Sequence, residues 1–262
     1  MSATFTRDDY VSFCEGIRDL CAIDLLKYKR GQMERRVRAF AERNGHAGLG
    51  PYLEALSGDA RVLDDFLDRV TINVSNLWRN PEQWDNLERT LVPELAANGS
   101  FNAWSAGCSY GAEAYTLAAI CKMAAPRATA RIKGTDIDRR AIDHARRGEF
   151  TAEDIRTAPP HALERFFVHD EPHWRPTDEL RRLVSFEVAD LLNMSFPSEV
   201  YDLVLCRNTV IYFNEDVRDL LHARLTGSLR DGGVLVVGSS ERVSAPDTIG
   251  LKSIAHFTYR KA

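Results

Sequence analysis

The chain has 262 residues, of which 44% are hydrophobic, so it can bury a substantial core. This length fits one medium α/β domain with a smaller module, and it excludes a peptide-like or disordered chain. The net charge of -4 is mild and gives no reason to expect nucleic-acid binding, which requires a basic surface. The first 13 residues are polar and no run of 18 apolar residues occurs, so we expect a cytoplasmic protein without signal peptide or membrane insertion.

Residues 5–70 show apolar side chains at helical spacing, as at Met33, Val37 and Phe40. We therefore predict a small helical domain over residues 1–72. Pro81 opens a second helical pattern that runs to residue 97, as proline suits the first turn of a helix. Residues 73–98 are accordingly predicted to be a linker and a connecting helix.

From residue 99 onward, short β-rich runs alternate with helical stretches. The predicted strands are residues 101–105, 131–135, 185–188, 202–206 and 234–238. Such alternation is typical of an α/β fold with a doubly wound, mainly parallel sheet. A proline-rich and charged segment interrupts the alternation, and we predict an inserted subdomain at about residues 158–186.

Five scattered cysteines, an odd number without a CxxC pair, favour reduced thiols over a disulfide framework or a structural zinc site. Cys206 ends a predicted strand and has no base adjacent in the sequence, which is typical of a buried core thiol. His169 and His173 are four residues apart, but Pro172 disfavours a helix between them, so we predict no metal site.

The loop after the first predicted strand contains Gly107 and Gly111, and a helix is expected from Glu113 onward. Glycine permits a tight turn and lets a ligand approach the backbone. The GxxxG spacing is not the GxGxxG pattern of dinucleotide-binding proteins, and a purely structural turn explains it equally well.

The second predicted strand ends at Asp136, where a carboxylate could accept hydrogen bonds from both hydroxyls of a ribose. Asp138 is better placed to cap the next helix. A later strand is followed by Arg207 and Asn208. Because ligands bind at the carboxyl ends of parallel strands, these loops are the candidate site.

Six segments in the same order carry a resemblance to a known family. They are DLLKYKRGQMERR at 24–36, TINVSNLWRN at 71–80, WSAGCSYGAE at 104–113, TDID at 135–138, CRNTVIYF at 206–213 and GSSE at 238–241. With them the chain resembles, from Tyr10 to Tyr259, the CheR-type glutamate O-methyltransferases of bacterial chemotaxis receptors. The resemblance implies a Rossmann-like S-adenosylmethionine-dependent methyltransferase domain behind a helical domain, and an enzyme that forms glutamyl methyl esters.

The resemblance also implies roles for individual residues. Glu113 would bind the methionine ammonium, Asp136 the ribose, and Arg79 with Tyr212 the substrate carboxylate. The cofactor contacts that the resemblance implies are Asn73, Ser75, Arg79, Gly107, Gly111, Glu113, Asp136, Asp190, Leu191, Arg207 and Asn208. Asp190 and Leu191 would border the adenine, and Arg207 and Asn208 the methionine.

Three positions depart from the family pattern. Ala112 stands where a second acidic residue is common, Tyr110 replaces a small hydroxyl residue, and Trp78 replaces phenylalanine or tyrosine. A bulky Tyr110 or Trp78 could reshape the pocket, so these departures concern substrate access more than cofactor binding.

Residues 27–43 carry a local excess of positive charge over two glutamates. The basic residues are Lys27, Lys29, Arg30, Arg35, Arg36, Arg38 and Arg43. A solvated helix face explains such a run, but relatives in the family dock receptors here, and an acidic receptor helix would be attracted to it. The sequence leaves open whether a receptor tail binds at the inserted subdomain.

Two other functions remain as alternatives. A methyltransferase for a nucleobase or amine often has an Asn/Asp-Pro-Pro-Tyr/Phe motif after the fourth strand, whereas residues 207–212 read RNTVIY. A non-catalytic adenosylmethionine-binding sensor or adaptor would not need to retain Arg79 and Tyr212.

Overall fold

The computed structural model describes residues 8–70 and 75–262, which fold as two compact units. Of the described residues, the first unit contains 8–70 together with Tyr212–Arg218. The second contains 75–211 and Asp219–Ala262.

The first unit is a helical bundle, as its apolar periodicity predicts. Its helices are α1 (Asp9–Cys21), α2 (Arg30–Arg43), α3 (Leu49–Gly58) and α4 (Ala60–Val70). The Asp8 side chain caps α1 by accepting a hydrogen bond from the backbone N–H of Tyr10. Aromatic rings fill the core, where Phe66 packs edge-on against both Phe13 and Tyr52 at centroid distances of 5.8 Å.

A short segment distant in sequence completes this bundle. The backbone N–H of Lys29 donates to the carbonyl of Tyr212 at 2.8 Å, and that of Asn214 donates to the carbonyl of Lys27 at 2.9 Å. The rings of Tyr28 and Phe213 lie 4.9 Å apart. Tyr212 therefore belongs to the helical unit, which its position in the sequence did not indicate.

The second unit begins its described part with the expected connecting helix. It consists of α5 (Pro81–Asn86), a π-helical turn at Leu87–Leu91, and α6 (Val92–Leu95). Pro81 lies in the first turn, where its missing N–H needs no helical partner. Trp84, Leu87 and Leu91 bury this helix against the core of the unit.

A seven-stranded sheet forms the centre of the second unit. Its strands are β1 (Ser100–Ala106), β2 (Thr129–Asp136), β5 (Val184–Val188), β6 (Tyr201–Cys206), β7 (Leu229–Val237), β8 (Leu251–Ala255) and β9 (Thr258–Lys261). The strands β3 (Phe167–Asp170) and β4 (His173–Pro176) form a separate hairpin. The order in the sheet is β5-β2-β1-β6-β7-β9-β8. The pairs from β5 to β7 are parallel, and β9 is antiparallel to both β7 and β8. The mainly parallel α/β prediction is confirmed.

The helices between the strands cover the sheet. They are α7 (Ala112–Ala124), α8 (Arg139–Arg147), α9 (Pro160–Phe166), α10 (Asp178–Arg181) and α11 (Glu215–Ser228). Every residue of α7 from Ala112 to Cys121 is buried, so this helix lies inside the unit and directly follows the glycine loop.

The inserted β structure is the two-stranded antiparallel hairpin β3–β4, which contains a cis peptide bond before Pro172. His169 stacks on Trp174 in this hairpin at a centroid distance of 4.7 Å. The main sheet resumes at Val184, so the last residues of the segment predicted as an insertion are part of β5.

Candidate active site

The five parallel strands end at one edge of the sheet, and the loops that follow them carry most of the candidate residues. Ala106 of β1 pairs with Thr135 of β2, and Asp136 at the end of β2 pairs with Val188 of β5. Because β1 lies between β2 and β6, loops from three different parts of the chain meet at this edge.

The glycine loop makes the predicted tight turn. Gly107 and Gly111 have positive φ angles of 84° and 87°, which glycine adopts without strain. A Cβ atom on Gly107 would lie only 2.3 Å from the Oγ1 atom of Thr209. A Cβ atom on Gly111 would lie 2.8 Å from the Cβ atom of Ala145. Both glycines are therefore required by backbone angle and by close packing.

Glu113 lies in the first turn of α7 and is 9% exposed. Its Oε1 atom accepts a hydrogen bond from the Ser105 hydroxyl at 2.7 Å. Its Oε2 atom accepts one from Nη1 of Arg207 at 3.0 Å. Each oxygen keeps one further lone pair, so the carboxylate can accept additional donors while it stays fixed in position.

Arg207 is held on every side. Its Nε and Nη2 atoms donate to Oε1 of Gln83 at 2.9 and 2.7 Å, and Nη2 also donates to the carbonyl of Arg79 at 2.7 Å. The guanidinium lies 4.9 Å from the centre of the Trp84 ring. Sequence reasoning missed Gln83, because a glutamine in the first turn of a helix carries no motif.

Asp136 ends β2 and faces the glycine loop. Its Oδ2 atom accepts from the backbone N–H of Ser109 at 2.8 Å, and Oδ1 accepts from that of Asp138 at 3.0 Å. Burial raises the pKa of this carboxyl group above its usual value, and the backbone hydrogen bonds oppose that shift. Asp138 caps α8 by accepting from the N–H groups of Arg140 and Ala141, as predicted.

The loop after β5 contains Asp190 and the buried Leu191. The carboxylate of Asp190 accepts from the N–H of Leu192 at 2.8 Å and closes a turn. Arg224 of α11 donates to the carbonyls of Leu191 at 2.9 Å, Leu192 at 3.1 Å and Met194. Sequence reasoning missed Arg224, which fixes this loop from a helix more than 30 residues further along the chain.

The segment before α5 contains Ser75 and Arg79, while Asn73 lies outside the described residues. Trp78 and Asn80, which flank Arg79, both have left-handed backbone angles, with φ of 54° and 57°. The carbonyl of Arg79 accepts from Nε1 of Trp84 at 2.9 Å. The backbone at Arg79 is therefore rigidly placed.

Tyr110 of the glycine loop contacts this segment. Its hydroxyl, which has one proton to donate, lies within hydrogen-bonding distance of two acceptors, the carbonyl of Ser75 and Oδ1 of Asp154, the latter at 2.9 Å. Its ring stacks on His144 at 5.2 Å. Burial raises the pKa of the Tyr110 hydroxyl, so it stays protonated at neutral pH. The bulky residue that departs from the family pattern thus ties the glycine loop to the Ser75 backbone.

Asn208 follows Arg207 with a left-handed φ of 58°. Its backbone N–H donates to Oε2 of Glu241 at 2.8 Å. Glu241 is only 3% exposed and lies in the loop after β7. It belongs to the quoted GSSE motif, but sequence reasoning gave it no role.

Tyr212 lies in the helical unit, where its ring centre is 6.0 Å from the Arg36 guanidinium. The role predicted for it stays a prediction.

The basic residues of α2 have different environments. Arg30 and Arg38 both pair with Glu34, and Arg38 also pairs with Asp9. Arg36 donates to the carbonyl of Val70 at 2.7 Å. Two further basic residues of this helix, Arg35 and Arg43, are exposed. Lys29, directly before the helix, is also exposed.

The five cysteines are free thiols, and burial raises the pKa of Cys206 well above its usual value. Over residues 8–70 and 75–262, no three His, Cys, Asp or Glu side chains form a group that could hold a metal ion. The same residues include no helix long and apolar enough to span a lipid bilayer.

Comparison with known proteins finds two family models on this chain. Residues 8–71 match the all-alpha domain of the CheR methyltransferases, and residues 73–257 match their SAM binding domain. The chain is 31% identical over 255 residues to the chemotaxis protein methyltransferases of Listeria innocua and Listeria monocytogenes, covering 97% of this chain and 97% of each relative. It is 26% identical to that of Borreliella burgdorferi, covering 100% of this chain and 96% of the relative.

Proposed function

Because the chain belongs to the CheR methyltransferase family and is an S-adenosylmethionine-dependent methyltransferase, we propose that it methylates glutamate side chains of chemotaxis receptors in the cytoplasm. The products are glutamyl methyl esters. The observation that carries this proposal is the buried pair of Glu113 and Arg207 beside the glycine loop. The names of the relatives, chemotaxis protein methyltransferases, support the choice of substrate class.

The chemistry of the pocket residues fits S-adenosylmethionine. Its ammonium group needs a fixed carboxylate, which Glu113 offers, and its ribose needs an acceptor for two hydroxyls, which Asp136 offers. The Glu113 carboxylate accepts from Ser105 and Arg207, the Asp136 carboxylate accepts from backbone N–H groups, and carboxylate oxygens have lone pairs for further donors. Two anchored acceptors, one in the first turn of α7 and one at the end of β2, therefore suit a ligand with a cationic end and a ribose.

Other loops would complete the binding site. Gly107 and Gly111 allow a ligand to approach the backbone, and the fixed loop at Asp190 and Leu191 would border the adenine. The further proposed cofactor contacts are Asn73, Ser75, Arg79, Arg207 and Asn208.

The proposed reaction requires the substrate carboxylate to be aligned with the methyl group of S-adenosylmethionine. Bound S-adenosylmethionine supplies an electrophilic methyl group on a cationic sulfur. A glutamate side chain, with a pKa near ~4.3, is already an anion at neutral pH, so the protein needs no general base. Arg79 would orient that carboxylate, and the Tyr212 hydroxyl would share this role. Division of the contact between two donors avoids a strong ground-state ion pair that would slow transfer.

The exposed cations of α2, together with Lys29 just before this helix, are the proposed docking surface for the receptor. Lys29, Arg35 and Arg43 are exposed, while Arg30 and Arg38 are engaged by acidic neighbours. A receptor helix rich in glutamates would be attracted to the exposed cations. This attraction would raise the association rate and the specificity of the encounter. We expect association to weaken as ionic strength rises, because salt screens exposed charges.

The test is transfer of a labelled methyl group from S-adenosylmethionine to a receptor cytoplasmic fragment, followed by release of the label with base. Wild-type protein should form base-labile methyl esters. Arg79→Ala and Tyr212→Phe should each lower kcat about tenfold or more. Tyr212→Phe should bind S-adenosylhomocysteine with nearly the wild-type affinity.

Arg89→Ala, at an exposed position on the π-helical turn, is the control and should behave as wild type. If both Arg79→Ala and Tyr212→Phe methylate at the wild-type rate, the proposed catalytic roles are wrong. Cofactor binding without ester formation by the wild type would instead favour a sensor or adaptor.

A further inference from the structure

Glu241 is a buried carboxylate whose described hydrogen-bond partners are backbone N–H groups. Its Oε2 atom accepts from Gly238 at 2.6 Å and from Asn208 at 2.8 Å, and its Oε1 atom accepts from Ile211 at 3.2 Å. A buried carboxylate without hydrogen-bond partners is strongly destabilising, so an acid retained at this position must be compensated by such donors. The side chain therefore joins the loop after β7 to the loop after β6.

The contact is sterically specific. A Cβ atom on Gly238 would lie 2.6 Å from Oε2 of Glu241 and 2.8 Å from the backbone nitrogen of Asn208. Only glycine at position 238 leaves room for the carboxylate to reach Asn208. The spacing Gly-x-x-Glu in the sequence thus has a structural explanation.

The residues that Glu241 holds adjoin the candidate site. Asn208 has a left-handed φ of 58°, a conformation that needs support from its surroundings. Arg207, its neighbour, reaches back to Glu113 at 3.0 Å. The direction in which the chain leaves β6 decides whether Arg207 can make that contact.

We propose that Glu241 is a positioning residue that holds the Arg207–Asn208 loop, and through Arg207 the Glu113 carboxylate, in the geometry that binds S-adenosylmethionine. This inference rests on the proposed cofactor roles of Glu113, Arg207 and Asn208, and it does not depend on the identity of the methylated protein. Glu241 itself touches neither cofactor nor substrate in this role.

Glu241→Gln provides the sharpest test because it preserves shape while it replaces an acceptor oxygen by an N–H donor that faces other N–H groups. We expect the dissociation constant for S-adenosylhomocysteine, measured by calorimetry, to rise about tenfold or more, because hydrogen bonds to a charged group are the strong ones. The KM for S-adenosylmethionine should rise more than kcat falls. Glu241→Asp, which retains the charge on a shorter side chain, should be intermediate.

Glu199→Gln is the matched control, since Glu199 is exposed and forms only a surface pair with Lys261 at 3.3 Å. A Glu241→Gln variant that binds S-adenosylhomocysteine like Glu199→Gln overturns the inference, even if its melting temperature has fallen. If the wild type does not methylate receptor fragments, the proposed substrate is wrong, but the inference about Glu241 is unaffected.

A second measurement keeps the inference testable should Glu241→Gln fail to fold. In the wild type, hydrogen exchange followed by NMR should show the amides of Asn208 and Ile211 protected to the level of β6, although neither residue lies in a strand. Exchange of both amides as fast as that of an exposed loop amide overturns the inference.

Discussion

Charged side chains are arranged differently on α2 and at the carboxyl edge of the sheet. On α2, Glu34 pairs with Arg30 and Arg38 in contact with solvent. At the sheet edge, Arg207 and Glu113 pair with side chains only 3% and 10% exposed. Exposed pairs add little to the free energy of unfolding because water screens them, whereas breaking a buried pair leaves an uncompensated charge. Loss of one partner should therefore cost far more at the sheet edge than on α2.

The largest expected effect comes from breaking the buried pair. Glu113→Gln leaves the Arg207 guanidinium without a counter-charge and should lower the free energy of unfolding by about 3–5 kcal/mol. Binding of S-adenosylhomocysteine should be lost. Urea denaturation and calorimetry measure the two effects. The double variant with Arg207→Met should recover part of the stability but none of the binding. Equal losses of stability in Glu113→Gln and Glu34→Gln would show that burial does not distinguish the two ion pairs.

Gly107→Ala is the next largest change, because it combines an unfavourable φ with a collision against Thr209. We expect about 2–4 kcal/mol lower stability and weaker cofactor binding. Gly99→Ala is the matched control, since Gly99 has φ +85° with nothing within 4 Å of an added Cβ. Thermal unfolding of both variants separates the angle from the collision, and identical losses would show that the contact with Thr209 is unimportant.

Arg224→Met tests the loop beside Asp190. It removes the guanidinium, which donates to three backbone carbonyls and lies 4.1 Å from the centre of the Phe196 ring, and keeps an unbranched apolar side chain. We expect the KM for S-adenosylmethionine to rise about three- to tenfold with kcat nearly unchanged, since the loop would border the adenine. Arg242→Met, at an exposed position, should leave both constants at wild-type values. A change in kcat alone would argue against a role in cofactor binding.

Glu34→Gln should have the smallest effect, below about 1 kcal/mol at neutral pH. Hydrogen bonds from Arg38 and then Arg30 lower the pKa of Glu34 from 4.5. A lowered pKa in the folded state means that this stabilisation is present above pH 4.5 and is lost as the pH falls through the folded value. The difference in urea midpoint between wild type and variant should therefore shrink below pH 4.5, and a difference that grows there would contradict the assignment.

Parts of the site follow from local sequence alone. The turn at Gly107 and Gly111, the cap at Asp138 and the position of Asp136 at the end of β2 depend on residues close together in the chain. Strand patterning likewise predicted the parallel strands, but not the antiparallel β8, whose residues are mostly exposed.

Other parts depend on contacts between distant segments. Gln83, Arg224 and Glu241 bind loops 30 to 124 residues away, and no spacing in the sequence connects them to those loops. Tyr110 similarly meets Asp154 and the Ser75 carbonyl only after folding.

The sequence by itself determined the two-part architecture, the mainly parallel sheet and the glycine loop, because hydrophobic periodicity, caps and turns are local properties. Only the tertiary structure decided which side chains hold those loops in place and that Tyr212 packs with the helical unit. The reason is physical: a buried polar group must find its partner wherever the fold brings one, and that partner need not be near in the chain.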